Sequence, residues 1–345
     1  RSGGHPRSRD RGIGSLSPMQ VVADAFRPCA LPCPAVVTVG NYDGIHRGQR
    51  AVLDRVVARA RTLGLPAVLV TFEPHPLTVL APHLAPATLL TREQKVRLLA
   101  AAGIDLMAVI PFTAAFAATR AEAFVRDFLV ARLGVRELFV GRQFAFGKNR
   151  EGDLAVLSRL GEELGFAVVG LEEERADGDL VSSTRIRRAL AVGDVELAAE
   201  LLGRPYSLTG CIVEGDRLGR RLGWPTVNLR PDGELLPLEG VYATQVGFLE
   251  GADAAGTLDS VTNVGRRPTV DGSRRRVVES HILDFDRDVY GARIELFFHQ
   301  RLRDEMLFPS VSELSAQIGR DAQASREYFA LLRRSQGNTG PGGVT

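Results

Sequence analysis

An imidazole set among three glycines is the first arrangement in this chain that could do chemistry. In Val39-Gly40-Asn41-Tyr42-Asp43-Gly44-Ile45-His46-Arg47-Gly48-Gln49, glycines recur at Gly40, Gly44 and Gly48 around Asp43 and His46. Glycines let a backbone approach a ligand closely, and the free N–H groups and positive dipole of a first helical turn favour an anion, of which phosphate is the commonest. His46 at the mouth of such a loop can hydrogen-bond a phosphate oxygen or charge against it. A second constellation lies much further on, where Thr226 and Asn228 are two residues apart and so are Glu279 and His281. That spacing on a strand puts both side chains on one face. Thr226 and Asn228 can therefore place two oxygens on one hard cation, and the Glu279 carboxylate has a definite direction.

These groups need elements to hold them. The β-branched run Val36–Val39 stops at Gly40, and Ala51–Leu63 repeats apolar residues at helical spacing, so the first constellation reads as strand, tight loop, helix. As far as Leu171 the strand-like runs Ala67–Phe72, Leu106–Ile110, Glu137–Gly141 and Ala167–Leu171 alternate with helical patterns at Arg92–Ala102, Ala121–Leu133 and Asp153–Leu164. Such alternation predicts a Rossmann-like α/β domain, a parallel sheet with helices on both faces and ligands at the carboxyl ends of its strands. Three more segments fall at such ends. In Thr71–Pro76 two prolines stiffen the strand exit and hold His75 outward. In Gly141–Lys148, Phe144 and Phe146 can cover an aromatic ring while Lys148 and Arg150 supply positive charge. Ser182, Ser183 and Thr184 can cap a helix or bind phosphate, with Arg187 on the same face as Thr184.

A helical linker, Arg188–Leu202, leads to Gly203-Arg204-Pro205-Tyr206, where the pattern changes. Short strands at Ser207–Glu214, Gly240–Phe248, Thr257–Val264, Val277–Asp284 and Arg293–Leu302, separated by glycine-containing turns, predict a small antiparallel β-barrel. An amphipathic terminal helix at Ser312–Leu332 follows. Gly210, Gly215, Gly219 and Gly223, with Glu214, Asp216 and Arg220 among them, make a flexible charged turn just before Thr226. The resulting division is a disordered extension over 1–18, a first domain over 19–187, a linker over 188–202, a second domain over 203–334 and a disordered tail over 335–345.

At 345 residues and 45% hydrophobic content the chain can bury two cores. A formal charge of +2, part of it in the first 18 residues, argues against nucleic acid as a partner. The apolar runs fall short of a bilayer span, so no membrane partner is expected. Cys29, Cys33 and Cys211 form neither a metal pattern nor an even disulfide set, which fits a reducing cytoplasm. Assembly into a homo-oligomer is left open.

Several of these segments together resemble one family. Val39–Gln49 resembles the Gly-x-Phe-Asp-Gly-Val-His-x-Gly-His signature in the nucleotidyltransferase module of bifunctional riboflavin kinase/FAD synthetases, with Gln49 in place of the second histidine. Thr71–Pro76 resembles the family's Thr-Phe-x-Pro-His-Pro, Gly141–Gly147 its Gly-x-Asp-Phe-x-Phe-Gly with Gln143 for the aspartate, and Val181–Arg187 its Ile-Ser-Ser-Thr-x-Ile-Arg. In the second half, Pro225–Asn228 resembles the Pro-Thr-Ala-Asn segment that follows a glycine-rich loop over ATP. Val278–Phe285 is similar to Val-Glu-x-His-Ile-Leu-Asp-Phe, which maps a catalytic glutamate onto Glu279, and Arg301–Phe308 matches a further segment.

The resemblance runs from Val36 to Tyr328, with both modules in family order, and implies two reactions. In the barrel, the 5′-hydroxyl of riboflavin attacks the γ-phosphoryl of ATP to give FMN, with Glu279 as base, Mg²⁺ on Thr226 and Asn228, and Gly215, Gly219 and Arg220 over the nucleotide. In the first domain, FMN takes AMP from a second ATP to give FAD and pyrophosphate. His46 and Arg187 would be catalytic there, with Gly40, Asp43, Gly44, Gly48, Gln49, Ser182, Ser183 and Thr184 on the phosphates. His75, Phe144, Phe146 and, in the barrel, Arg303 would contact flavin. The alternatives are a riboflavin kinase with an impaired first domain, for which Gln49 and Gln143 argue, and a non-catalytic flavin or nucleotide sensor, which has no need of Glu279 beside a metal site.

Overall fold

The computed structural model describes residues 19–27, 31, 33–172, 174–215, 219, 222–251, 256–268 and 274–337. The 1–18 and 338–345 segments and Arg220 lie outside them. In the amino-terminal half, β1 (Gln20–Val22), β2 (Ala35–Val39), β3 (Ala67–Glu73), β4 (Leu106–Pro111), β5 (Val135–Gly141) and β6 (Ala167–Leu171) form one sheet. Its order is β1-β4-β3-β2-β5-β6 and every pairing is parallel. Strand β2, Ala-Val-Val-Thr-Val, is buried along its whole length, as a strand covered on both faces must be. The order turns back on either side of β2, toward β3 one way and β5 the other. A crevice therefore opens where the chain leaves β2 and β5.

Helices α1 (Arg47–Leu63), α2 (Pro76–Leu80), α3 (Arg92–Ala101), α4 (Ala114–Ala117), α5 (Ala121–Ala123) and α6 (Leu154–Leu164) connect these strands. Helix α1 ends at Gly64, whose φ of 63° suits a residue without a Cβ. The single amphipathic helix expected over Ala121–Leu133 is instead one short turn, α5, running into a π-helix at Phe124–Val130. There Phe124 stacks on Phe128 with centroids 5.6 Å apart. A two-residue hairpin, β7 (Arg175–Ala176) and β8 (Asp179–Leu180), precedes α7 (Ser183–Ala191). The expected continuous linker helix breaks into α7 and α8 (Val195–Leu202), because Gly193 turns at φ 81° and the Asp194 side chain caps the new helix by accepting from Leu197 N–H.

The carboxy-terminal half is a closed barrel of six strands. They are β9 (Tyr206–Val213), β10 (Val227–Pro231), β11 (Gly240–Phe248), β12 (Thr257–Pro268), β13 (Arg274–Ile282) and β14 (Arg293–Arg303), antiparallel in the order β10-β13-β12-β11-β14-β9. Strand β10 is the sixth, beyond the five expected; it is short and ends in Pro231. Inside the barrel, alternate residues such as Tyr206, Leu229, Tyr242, Val278 and Phe298 are buried. A chain of hydroxyls, Ser260–Thr244–Thr262–Ser280, crosses the same interior in steps of 2.7, 2.6 and 2.8 Å, so each buried hydroxyl has a partner. Outside, helix α9 (Val311–Gly337) packs on β11, β12 and β14.

The halves are not merely tethered. The buried Gln94 of α3 donates to Ser207 Oγ (3.1 Å) and Glu295 Oε1 (3.2 Å) of the barrel, and Leu89 packs into the barrel's own core cluster. Phe298 is fully buried and meets the Tyr242 ring edge-on at 5.3 Å. Phe298→Ala should therefore destabilise the barrel by about 3–5 kcal/mol. The expected readout is a lower denaturant midpoint for the transition that abolishes carboxy-terminal tertiary circular dichroism; an unmoved midpoint would contradict the packing described.

Candidate active sites

Where β2 ends, the loop is strained and tightly held. Tyr42, Gly44 and Ile45 sit at φ 47°, 99° and 45°, in the left-handed region that residues with side chains avoid. The Tyr42 hydroxyl shares a buried 2.7 Å hydrogen bond with Thr38, and the carbonyl of Asn41 accepts from Thr71 Oγ1 (3.2 Å) and Lys95 Nζ (3.0 Å). Asp43 is buried: its carboxylate accepts from Leu89 N–H at 3.0 Å and pairs with Arg187. Arg187 also donates Nε–H to Ala87 O (2.8 Å), and Ser183 Oγ donates to Asp43 O (2.6 Å). The glycine loop and the start of α7 thus meet on one aspartate. Ser182 caps α7 by accepting from Arg185 N–H at 3.2 Å, and Thr184 is exposed.

His46 is the cap of α1. Its Nδ1 accepts from Gln49 N–H while Gln49 Oε1 accepts from His46 N–H, both at 3.3 Å, a reciprocal capping box. Burial, with the Arg204 guanidinium adding to it, lowers the imidazole pKa to about 4. Of the two roles read from the sequence, hydrogen bonding to a phosphate is the one this neutral ring supports. The neutral ring carries its proton on Nε2 and acts as a donor there. Gln49, read as a phosphate contact, directs its oxygen back to its own helix start. Gly48 has only ordinary contacts around a would-be Cβ, the nearest at 3.4 Å.

A cavity of about 910 Å³ opens at the crevice. Gly40, Asn41 and His75 line it together with Phe72, Phe112, Phe116, Phe124, Phe144 and Phe146, and Gln143, Asn149 and Arg150 complete its wall. Phe144 and Phe146 stack with centroids 5.5 Å apart and planes 13° from parallel. Gly147 (φ 74°) can only be glycine, because a Cβ there would lie 2.6 Å from Ala121 N. The His75 ring caps α2, its Nδ1 accepting from Leu77 N–H (3.2 Å), and its Nε2 lies 3.1 Å from the Asn41 side-chain amide. Burial lowers its pKa against the raising influence of Asp43. Asp43, Gly44, His46, Gly48 and Gln49 do not line this cavity; Asp43, Gly44 and His46 lie buried. Lys95, which sequence reasoning passed over, is held beneath it on the Asn41 carbonyl; being one of two lysines in the chain was the signal that could have flagged it.

In the barrel, register assembles the second site. Glu279 of β13 stands opposite Asn228 of β10 on one side and Asn263 of β12 on the other. Directly opposed residues on antiparallel strands have Cβ atoms about 4.5–5.5 Å apart. With Thr226, His281, Arg303 and Phe308 they line a cavity of about 420 Å³ between the barrel's outer surface and α9. The glycines of the preceding turn press directly on this row. A Cβ on Gly215 would lie 2.2 Å from Asn228 Nδ2, and one on Gly219 2.3 Å from Trp224 O and 3.1 Å from Thr226 Oγ1. His281 Nδ1 is 2.7 Å from Pro225 O and fixes the segment that presents Thr226. Arg303 is gripped by Asp321 of α9, Nη2 to Oδ2 at 2.7 Å. A smaller cavity of about 170 Å³ shares Thr226 and is walled by Ile282, Phe285, Arg287 and Tyr290. Asn263 and the anchoring by His281 were not legible without the register.

Among the described residues no three His, Cys, Asp or Glu converge as a metal cluster. The hydroxyl of Thr226, the amide of Asn228 and the single carboxylate of Glu279 suit a hard cation that takes most of its oxygens from phosphate and water.

Comparison with known proteins divides the chain in the same way. The FAD synthetase family matches residues 30–185 and the riboflavin kinase family residues 202–329. The bifunctional riboflavin kinase/FMN adenylyltransferase of Escherichia coli (strain K12) is 41% identical over 298 residues, covering 86% of this chain and 94% of that protein. The protein of the same name from Pseudomonas fluorescens is 40% identical over 295 residues, 86% and 93% of the two chains. A solved structure described as a macrolide-efflux protein from Streptococcus pneumoniae superposes with a TM-score of 0.79 at 26% identity, covering 90% of this chain and 99% of its own. Among the described residues no helix is long and apolar enough to cross a membrane. Two domain families in sequence order, with relatives this similar over nearly their full length, place the chain in the bifunctional riboflavin kinase/FMN adenylyltransferase family.

Proposed function

We propose that the chain makes FAD in two steps at two separate sites, phosphorylating riboflavin in the barrel and adenylylating FMN in the amino-terminal domain. The observation that carries the first step is the row Asn228–Glu279–Asn263 beside Thr226, where the two barrel cavities meet. Riboflavin occupies the larger cavity with its ring toward Phe308 and α9, and the nucleotide base occupies the smaller one by Phe285 and Tyr290. Their reacting ends then converge at Thr226. Glu279 accepts the proton of the 5′-hydroxyl as its oxygen attacks the γ-phosphorus, and ADP leaves. Gly215 and Gly219, having no side chains, leave room for the phosphates beside Asn228 and Thr226. Thr226 and Asn228 would hold a Mg²⁺ ion, whose positive charge would offset that of the phosphates when bound.

For the second step, the six phenylalanines around the 910 Å³ cavity supply a face for an isoalloxazine ring, and Gly40 with Asn41 forms the end nearest the glycine loop. The FMN phosphate attacks the α-phosphorus of ATP in line, and pyrophosphate leaves without a covalent enzyme intermediate. Neutral His46 donates from Nε2, and Arg187, fixed on Asp43, lends positive charge to the oxygens of the transition state. Gln49 adds none of the charge that a protonated histidine could carry.

In the full chain supplied with riboflavin, ATP and Mg²⁺, chromatography should separate both FMN and FAD as products, and chelating the metal should stop both. Glu279→Gln should slow FMN formation by roughly 10²–10⁴-fold, with FAD formation from supplied FMN unchanged. FMN formation at the wild-type rate in that variant would remove Glu279 from the mechanism.

Gln49→His should raise FAD output from supplied FMN by on the order of ten- to a hundredfold, since a hydrogen bond to a charged group contributes roughly 1.5–3 kcal/mol. The same change gives up the acceptor for His46 N–H, at about 1 kcal/mol of helix stability. Unaltered FAD output would show that this position does not limit the step.

A further inference from the structure

Arg204 lies outside all three cavities, one residue after Gly203 ends α8 and two before β9 begins. Its guanidinium nevertheless crosses to the other domain. Nη2 donates to Gly44 O at 2.6 Å and Nη1 to Ile45 O at 3.1 Å, with Leu202 O at 3.4 Å. Gly44 and Ile45 are two of the three loop residues held at positive φ, and the next residue is His46. Successive carbonyls match the planar fork of an arginine, and a lysine could grip one at a time. Ile45, which is β-branched, would leave that conformation if its carbonyl were released. Among the described residues Arg204 forms no ion pair. Burial lowers its pKa to about 10, with Glu295 opposing from a distance. A half-buried guanidinium without an ion-pair partner is a costly group to keep for packing alone.

We propose that Arg204, a residue of the segment entering the barrel, is a positioning residue for adenylyl transfer: it clamps the strained Gly44–Ile45 turn and thereby fixes His46 for phosphate chemistry in the other domain. The inference rests on the two-site reading above. Its second effect is electrostatic, because the same guanidinium helps hold the His46 imidazole neutral.

The test compares the full-length wild type with Arg204→Gln and Arg204→Lys, measuring FAD formation from FMN, FMN formation from riboflavin and the His46 titration by NMR. A displacement of the reacting geometry by about 1 Å can slow a step on the order of a hundredfold. Arg204→Gln is expected to lower kcat for FAD formation by about tenfold to a hundredfold with KM little changed, and to leave FMN formation at the wild-type rate. Arg204→Lys should recover part of that loss. The His46 pKa, about 4 with Arg204 in place, should move upward in Arg204→Gln. FAD formation at the wild-type rate in Arg204→Gln would overturn the inference, as would an equal fall in both activities that follows loss of folding, or a fall with the His46 titration unmoved. A wild type that makes FMN and no FAD would instead overturn the two-site reading beneath it.

Discussion

The ion pair between Asp43 and Arg187 is the contact on which the amino-terminal site depends. Both side chains are largely shielded, at 12% and 17% exposure, so each charge relies on the other for most of its solvation. Removing either partner from such a pair leaves a buried charge and costs about 3–5 kcal/mol. Asp43 does more than neutralise Arg187. Its second carboxylate oxygen takes the Leu89 amide and its carbonyl takes the Ser183 hydroxyl, so a single residue ties together the loop after β2, the segment before α3 and the start of α7. The positive φ angles at Tyr42, Gly44 and Ile45 are sustained by this ring of contacts together with the Arg204 hydrogen bonds to Gly44 and Ile45, since the local sequence would relax out of them. An acidic residue among these glycines is then reasonable, because an arginine is brought to the same place.

The barrel site rests on a different constraint, the closure of the sheet. Asn228 lies opposite Glu279 only because β10 pairs with β13, and β10 is held from its other side by β9. A Cβ at Gly210 would lie 2.1 Å from Arg230 O, so the close β9–β10 approach that closes the barrel requires glycine there. The wall of the same cavity comes from α9, held by Asp321 on Arg303 and by Ser315, which accepts from Trp224 Nε1–H at 3.1 Å. Trp224 meets His281 edge-on at 5.4 Å, and His281 holds Pro225. The residue before Thr226 is thus tied to the helix that walls the larger barrel cavity.

What could be read from the sequence is what depends on neighbours along the chain. Strand β6 coincides with its expected span and β3, β4 and β5 lie within two residues of theirs; β3 and β4, buried on both faces, are near-continuous apolar runs, and the partly exposed edge strand β6 is apolar throughout. The shared face of Glu279 and His281 follows from alternation alone. Pairing between strands is not local, so Asn263 beside Glu279 could not be foreseen. Strand β10 shows in the sequence only as the extended stretch around Thr226 and Asn228, because Pro231 cuts its pattern short. His46 and Gln49 read as two phosphate contacts, yet they satisfy each other across three residues. Asp43 looked like part of the phosphate loop because its partner lies 144 positions away.

The joint between the domains makes the two sites parts of one structure. Gln94 is 1% exposed, and its amide is divided between its own helix cap at Thr91 and the barrel residues Ser207 and Glu295. The helix carrying Gln94 also carries Lys95, which holds the Asn41 carbonyl at the edge of the aromatic cavity. Leu89, whose amide is held by Asp43, has its side chain in the barrel's core cluster. A shift of β9 or β14 would therefore reach Asn41 through α3 and Asp43 through Leu89, along covalent and packed connections that need no hinge. Because packed interiors transmit displacement instead of absorbing it, the geometry of the glycine loop after β2 is set partly by the barrel.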